Sequence, residues 1–234
     1  MVAMNTSIEI SDATSEQEVP ALPSLSVQAE RLIATGVLEH EASRLTAEEV
    51  RAVAAELEGR ARAGALLVAS ETALPVRMLV PSVARTQGGD ERPGFVVVDS
   101  KDLEEFLPTV GVAVSDAKVY DVEDPYRDDD MRNWSPAEAL EAFGTRSRTP
   151  FTVAEGVHWA LQVPEVIDRN ACYMMIGARR QKEKGFDWRT PALWLSNGTG
   201  RDGRERRGAV KLDWCWWNNR HTWLGFASGS RRVD

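Results

Sequence analysis

Three helix-start motifs constrain the fold of this chain more than any other feature of its sequence. A Ser or Thr is followed three residues later by Glu in three places: Thr46–Glu49, Ser135–Glu138 and Thr152–Glu155. In such a capping box the hydroxyl and the carboxylate accept hydrogen bonds from backbone N–H groups that the first helical turn leaves unpaired. Each motif therefore predicts a helix start and assigns its glutamate to capping rather than to acid catalysis.

The segments around these motifs predict further elements. "SVQAERLIATG" is typical of a helix that carries Val27, Leu32 and Ile33 on its apolar face and ends at Gly36. Apolar runs that predict strands follow at 94–100, 117–122, 171–179, 191–197, 209–218 and 221–229. This order predicts an α+β protein, with N-terminal and central helices packed on a mainly antiparallel sheet that the C-terminal third largely forms.

The ends of the chain differ in composition. Residues 1–23 are polar and acidic, so we expect a disordered tail before a single domain over 24–234. No run of about 18 apolar residues predicts a membrane span, and the chain's two cysteines provide no disulfide framework. We therefore expect a soluble protein of a reducing cytoplasm.

The net charge of −8 conceals an uneven distribution of basic and acidic residues along the chain. Residues 1–178 hold 15 basic and 30 acidic side chains, whereas residues 179–234 hold 13 basic and 6 acidic ones. The basic last quarter also holds six of the eight tryptophans. Basic and aromatic residues together are typical of anion or nucleic-acid binding, but the two parts also balance each other's charge within one fold or across a homodimer.

The stretch "KLDWCWWNNRHTWLGFAS" at 211–228 holds four of these tryptophans. The strand patterns predict a hairpin, with its two strands joined at Asn219-Arg220. One interpretation is an aromatic hairpin that completes the core and pairs its indole N–H groups with polar neighbours. The other is a ligand site in which Trp216 or Trp217 is a stacking platform.

The preceding segment "SNGTGRDGRERRG" at 196–208 packs four glycines and four arginines into thirteen residues. Glycines let backbone N–H groups turn toward an anion, and arginines supply forked donors that match phosphate or carboxylate. The segment is not a nucleotide-binding P-loop, because no Gly-Lys-Ser/Thr follows and the next element is a strand. A solvated loop between two strands is the alternative.

Catalytic and metal sites have weaker support. His221 is the candidate acid or base, with Arg220 and Asn219 beside it at a predicted turn. Cys172, Cys215, His158 and His221 have the side chains of zinc ligands, but no two of them show a short ligand spacing. We therefore predict no metal and no cofactor.

Several long motifs resemble a known family. They are "DDDMRNWSPAEAL", "RTPFTVAEGVHWALQ", "MMIGARR", "RTPALWLSNGTGRDGRERRGAVK" and "WCWWNNRHTWLGFAS". Together they resemble an actinobacterial family described only as a domain of unknown function, from about residue 25 to the end. The resemblance implies a small soluble bacterial protein of the cytoplasm and implies no activity, cofactor or site residue.

Two hypotheses of function follow. The first is a binding protein for an anionic small molecule or nucleic acid; the second is an enzyme that uses His221 with Arg220 and Asn219. A basic face that docks on an acidic protein, including a second copy of this chain, is a third arrangement. No membrane partner is expected. The predicted ligand-binding residues are Arg179, Arg180, Arg201, Arg204, Arg206, Arg207, Trp216, Trp217, Asn219, Arg220 and His221.

Overall fold

The computed structural model describes residues 20–87, 90–109 and 111–234. Most of the tail that we predict over residues 1–23 lies outside this range. At its end, Leu22 packs against the core, and the Pro23 carbonyl accepts a hydrogen bond of 2.8 Å from the Gln28 side chain. Within the described residues, no helix is long and apolar enough to cross a membrane.

The α-helices lie among strands as far as α5, and the described chain after α5 holds strands and short 3-10 turns. The α-helices are α1 (Leu25–Ala34), α2 (Ala47–Glu58), α3 (Val76–Leu79), α4 (Pro136–Thr145) and α5 (Val153–Gln162). The strands are β1 (Leu66–Ala69), β2 (Arg85–Gln87), β3 (Asp90–Arg92), β4 (Phe95–Val96), β5 (Phe106–Pro108), β6 (Val119–Glu123), β7 (Thr149–Pro150), β8 (Cys172–Met174), β9 (Ala178–Arg180), β10 (Arg189–Leu195), β11 (Val210–Trp216), β12 (Leu224–Phe226), β13 (Ser228–Gly229) and β14 (Arg231–Val233). Short 3-10 turns join several of them, including Gly200–Asp202 and Arg204–Arg206.

All three predicted capping boxes are present, and they begin α2, α4 and α5. At α2, for example, the Glu49 N–H donates to the Thr46 hydroxyl at 3.1 Å, and the Thr46 N–H donates to the Glu49 carboxylate at 2.7 Å. Pro136 occupies the first turn of α4, where its missing N–H costs nothing. Local backbone chemistry therefore determines where these helices begin.

Helix α1 forms where predicted, but its buried face is different. Val27 is 44% exposed, whereas Leu25, Gln28 and Leu32 are buried. These three positions follow the three-to-four-residue spacing of one helical face, and Val27 lies off that face. The buried Gln28 amide is satisfied by two hydrogen bonds. It donates one of 2.7 Å to the Ala65 carbonyl and accepts one of 2.8 Å from the Leu67 N–H at the start of β1.

Two sheets contain most of the strand pairing. One has the order β1-β6-β14 and is antiparallel, and the other has the order β12-β8-β10-β11-β4. In the larger sheet the central pairs β8–β10 and β10–β11 are antiparallel, whereas β4 and β12 add in parallel at its edges. Helix α5 contacts both β1 and β10 and so packs against both sheets. The α+β prediction is confirmed.

The run at 94–100 is not the continuous buried strand that its valines predict. Only Phe95–Val96 forms a strand, both residues are half-buried, and Val98 is 60% exposed. The chain turns at this point, where the Ser100 N–H donates 3.0 Å to the Val97 carbonyl. The run at 117–122 does form a strand, β6, which lies in the middle of the smaller sheet.

The predicted tryptophan hairpin is wrong. Strand β11 pairs with β10 and β4, whereas β12 pairs in parallel with β8 at the opposite edge of the same sheet. Two-residue hairpin turns need positive φ and favour Asn-Gly, so Asn219-Arg220 suits one poorly. The antiparallel hairpin is instead β10–β11, with Trp194 opposite Lys211, and the glycine-arginine loop joins its two strands.

Candidate functional site

The loop between β10 and β11 is folded rather than free in solvent. The Ser196 hydroxyl donates to Asp202 at 2.7 Å, and the Lys211 ammonium donates to the same carboxylate at 3.1 Å. Gly198 has a φ of 67°, and a Cβ there would lie 2.5 Å from the Cβ of Arg207. The sequence therefore uses glycine where the two arms of the loop come into contact.

The loop divides its arginines between two clefts. The first, which we call the neutral cleft, has a volume of about 300 Å³. Its charged lining residues balance: Arg201, Arg206 and Lys211 against Asp99, Asp202 and Asp213. Arg201 pairs with Asp99 at 2.5 Å, and the Arg206 guanidinium lies 4.4 Å from the centre of the Phe95 ring. These two predicted anion-binding arginines already have partners within the protein.

The second, which we call the arginine cleft, has a volume of about 580 Å³. It is lined by Arg92, Asn197, Gly198, Thr199, Arg204 and Arg207. None of these lining residues is acidic. Arg204 and Arg207 are exposed and form no ion pair with any residue that the structure describes. The Arg92 guanidinium donates a hydrogen bond to the Arg207 carbonyl. This bond joins strand β3 to the loop between β10 and β11. Arg204 and Arg207 therefore give this cleft two positive charges that no carboxylate of its lining balances.

A third cleft, which we call the tryptophan cleft, lies beside these and has a volume of about 590 Å³. It is lined by Arg169, Asn170, Cys172, Trp194, Leu195, Asn197, Trp214, Cys215, Trp216, Asn219, His221 and Trp223. The rings meet edge to face, with centroids 4.6 Å apart for Trp214–Trp216 and 5.9 Å apart for Trp194–Trp223. Such contacts hold the rings in place. The Lys211 ammonium also lies 5.0 Å from the centre of the Trp194 ring. Trp216 is 48% exposed.

Three asparagines surround this aromatic cleft. Asn170, Asn197 and Asn219 are exposed, and within the described part of the chain their side-chain amides form no hydrogen bond. Asn197 also lines the arginine cleft and the neutral cleft, so all three clefts meet at this residue. Each amide offers two donors and an acceptor.

The structure separates the predicted catalytic trio. Asn219 and His221 line the tryptophan cleft, but the Arg220 guanidinium contacts Glu138 and the Asn133 carbonyl outside it. Burial lowers the pKa of His221 below its usual 6.5, so the imidazole is neutral at pH 7. Its role as an acid or base stays a prediction.

Cys172 and Cys215 also line the tryptophan cleft, but they are not reactive thiols there. Burial raises the pKa of each to about 12, which keeps both protonated at neutral pH. Across the described residues, no three His, Cys, Asp or Glu side chains are grouped so that they could hold a metal ion.

Three other predicted residues lie away from the clefts. The Arg179 guanidinium stacks 3.6 Å from the centre of the Trp217 ring, so Trp217 is a cation–π partner rather than a platform for a ligand. Arg180 pairs with Asp102 at 2.6 Å and with Glu105 at 2.7 Å. These side chains join β9 to neighbouring segments.

Sequence reasoning missed several lining residues. Trp194 follows from the β10–β11 register once that hairpin is chosen, because it faces Lys211. Arg92 and Asn170 come from distant segments and carry no local signal. Only the folded chain brings them to the loop.

Comparisons with known proteins agree with the family resemblance and add no activity. No curated protein and no solved structure matches the chain. One family model, described as "Family of unknown function (DUF5701)", matches residues 31–234. This match covers both sheets and all three clefts, and the chain therefore belongs to that family, DUF5701.

Proposed function

We propose that this protein binds a small ligand in which a phosphate or carboxylate is joined to a planar ring. The anion occupies the arginine cleft and the ring occupies the tryptophan cleft. The observation that carries this proposal is the position of Asn197, which lines both clefts. One molecule that spans Asn197 therefore reaches both.

The chemistry of the arginine cleft supports the anionic half. Arg204 and Arg207 keep their guanidinium donors available, whereas Arg201 of the same loop pairs with Asp99 and the Arg206 guanidinium lies against the Phe95 ring. A guanidinium presents two parallel donors to phosphate or carboxylate, and such charge-assisted hydrogen bonds are roughly twice as strong as neutral ones. The folded loop fixes the backbone at these two arginines before a ligand arrives, which lowers the entropy lost on binding.

The tryptophan cleft supports the ring half. Four indoles line it, and ring faces attract planar molecules by stacking worth about 1–3 kcal/mol. Its volume of about 590 Å³ lies within the range of small-molecule sites, roughly 300–1,000 Å³. A mainly apolar cleft with a few convergent polar groups is the usual form of such a site.

Charge favours a small ligand over nucleic acid. The chain carries a net charge of −8, and three arginines line the arginine cleft. Nucleic-acid affinity comes largely from many phosphate contacts along a basic surface. Arg204 and Arg207 on an acidic protein suit one anionic group better than a polyanion.

Tryptophan fluorescence tests this proposal with phenyl phosphate, which carries both halves, and with inorganic phosphate. We expect saturable quenching by phenyl phosphate, with an affinity that falls about 10-fold in Arg204→Ala, because one charge-assisted contact worth roughly 1.5 kcal/mol is lost. Arg201→Ala is the matched control: it is in the same loop and exposed, but already paired with Asp99, so its affinity stays near that of the wild type.

Two outcomes would contradict the proposal. One is that neither compound changes the fluorescence or the melting temperature of the wild-type protein. The other is that Arg204→Ala and Arg201→Ala bind phenyl phosphate equally well. Melting temperatures of both variants check that the fold survives.

A further inference from the structure

We infer that the planar half of the ligand is a nucleobase, so that the occupant of the joined clefts is a nucleotide. This inference rests on the proposed function and specifies its ligand. It depends on polar groups of the tryptophan cleft that stacking on a plain ring would leave unused.

These polar groups are the side-chain amides around the cleft. Asn170, Asn197 and Asn219 are exposed and make no side-chain hydrogen bond within the described residues. An asparagine amide pairs a donor with an acceptor, and this combination matches the neighbouring donor and acceptor atoms on the edge of a base. Proteins that recognise unpaired bases combine such edge contacts with stacking on aromatic rings.

The neutral state of His221 fits the same ligand. Its lowered pKa keeps one imidazole nitrogen as a donor and the other as an acceptor at pH 7. The cleft then recognises an uncharged ring by hydrogen bonds, and the positive charge is left to Arg204 and Arg207 in the arginine cleft.

Calorimetry tests the inference, because nucleotides absorb the light that excites tryptophan. The four common ribonucleoside 5′-monophosphates are titrated beside phenyl phosphate and ribose 5-phosphate. We expect at least one nucleotide to bind about 10-fold or more tightly than both reference compounds, since a site that hydrogen-bonds its ligand strongly disfavours an analogue without those groups.

Asn219→Ala should lower the affinity for that nucleotide about 10-fold and that for phenyl phosphate much less, because only the base edge loses a hydrogen-bond partner. Asn218→Ala is the matched control, since Asn218 is an exposed neighbour outside the cleft lining. It should bind the nucleotide as the wild type does.

The failures of the two proposals are distinguishable. If phenyl phosphate or ribose 5-phosphate binds as tightly as every nucleotide, the inference of a nucleobase is wrong and the proposed anion site is retained. If none of the phosphate compounds binds, both are wrong. A single-stranded oligonucleotide that binds more tightly than any mononucleotide, with steep salt dependence, would overturn the free nucleotide as the occupant.

Discussion

Replacing Arg232 by alanine should lower the free energy of unfolding by about 3–5 kcal/mol, because it leaves a buried carboxylate without its charge partner. The Glu155 side chain is fully buried and that of Arg232 is 5% exposed. The guanidinium donates to Glu155 at 2.8 Å, to the Thr149 hydroxyl at 2.6 Å and to the Pro150 and Ala113 carbonyls at 3.0 and 3.1 Å. One side chain of β14 therefore joins α5, β7 and the segment before β6.

Arg51→Ala is the control for this loss. Arg51 and Glu30 form an ion pair whose two side chains are more than half exposed, so solvent screens it and its removal should cost far less stability than the loss of Arg232. Urea denaturation of both variants at neutral pH measures the difference. Equal losses would show that the buried pair does not stabilise the C-terminal strand as described.

Asp121→Asn should make the protein more stable at alkaline pH. Asp121 lies in the middle of the smaller sheet, and both of its carboxylate oxygens are buried without a hydrogen-bond partner in the described residues. Burial and the nearby Glu123 raise its pKa to about 6, although Arg231 and Arg60 oppose the shift. A raised carboxyl pKa means that the folded state favours the protonated form.

The sign of the pH dependence follows from this shift. The contribution of Asp121 is favourable below its unfolded pKa of about 4 and is lost as the pH rises through about 6. The asparagine variant should match the wild type near pH 4 and exceed it by about 1–2 kcal/mol near pH 8, after allowance for the two arginines. Asp128 and Glu71, whose pKa values burial also raises, affect both proteins equally.

Denaturation at several pH values checks this prediction, with Asp116→Asn as the exposed control. The control should differ little from the wild type throughout. A stability gain for Asp121→Asn that is the same at pH 4 and pH 8 would refute the link to ionisation, and a loss at pH 8 would refute the cost of the buried charge.

The fold was predictable where the physics is local. A capping box needs only residues within one turn, so Thr46, Ser135 and Thr152 mark their helices correctly. Strand pairing is not local: β12 is next to β11 in sequence but pairs with β8 across the sheet. Composition also misled at Val98, because a run of valines predicts burial without showing where the chain turns.

The candidate site was predictable only where its residues lie close together in sequence. The glycine-arginine loop identified Arg204 and Arg207, but the residues that Arg201, Arg206 and Arg220 contact lie far away in sequence. Only the folded structure shows which arginines keep their charge available. The role of Asn197, where the clefts meet, also depends on packing.

The most direct test of the anion site in the arginine cleft is a calorimetric titration of phenyl phosphate into the double variant Arg204→Ala/Arg207→Ala. Two charge-assisted contacts of roughly 1.5 kcal/mol each are lost, so the affinity should fall about 100-fold or more. The melting temperature should stay near that of the wild type, because both side chains are exposed and have no ion pair with a described residue. An unchanged dissociation constant in this variant would contradict the account.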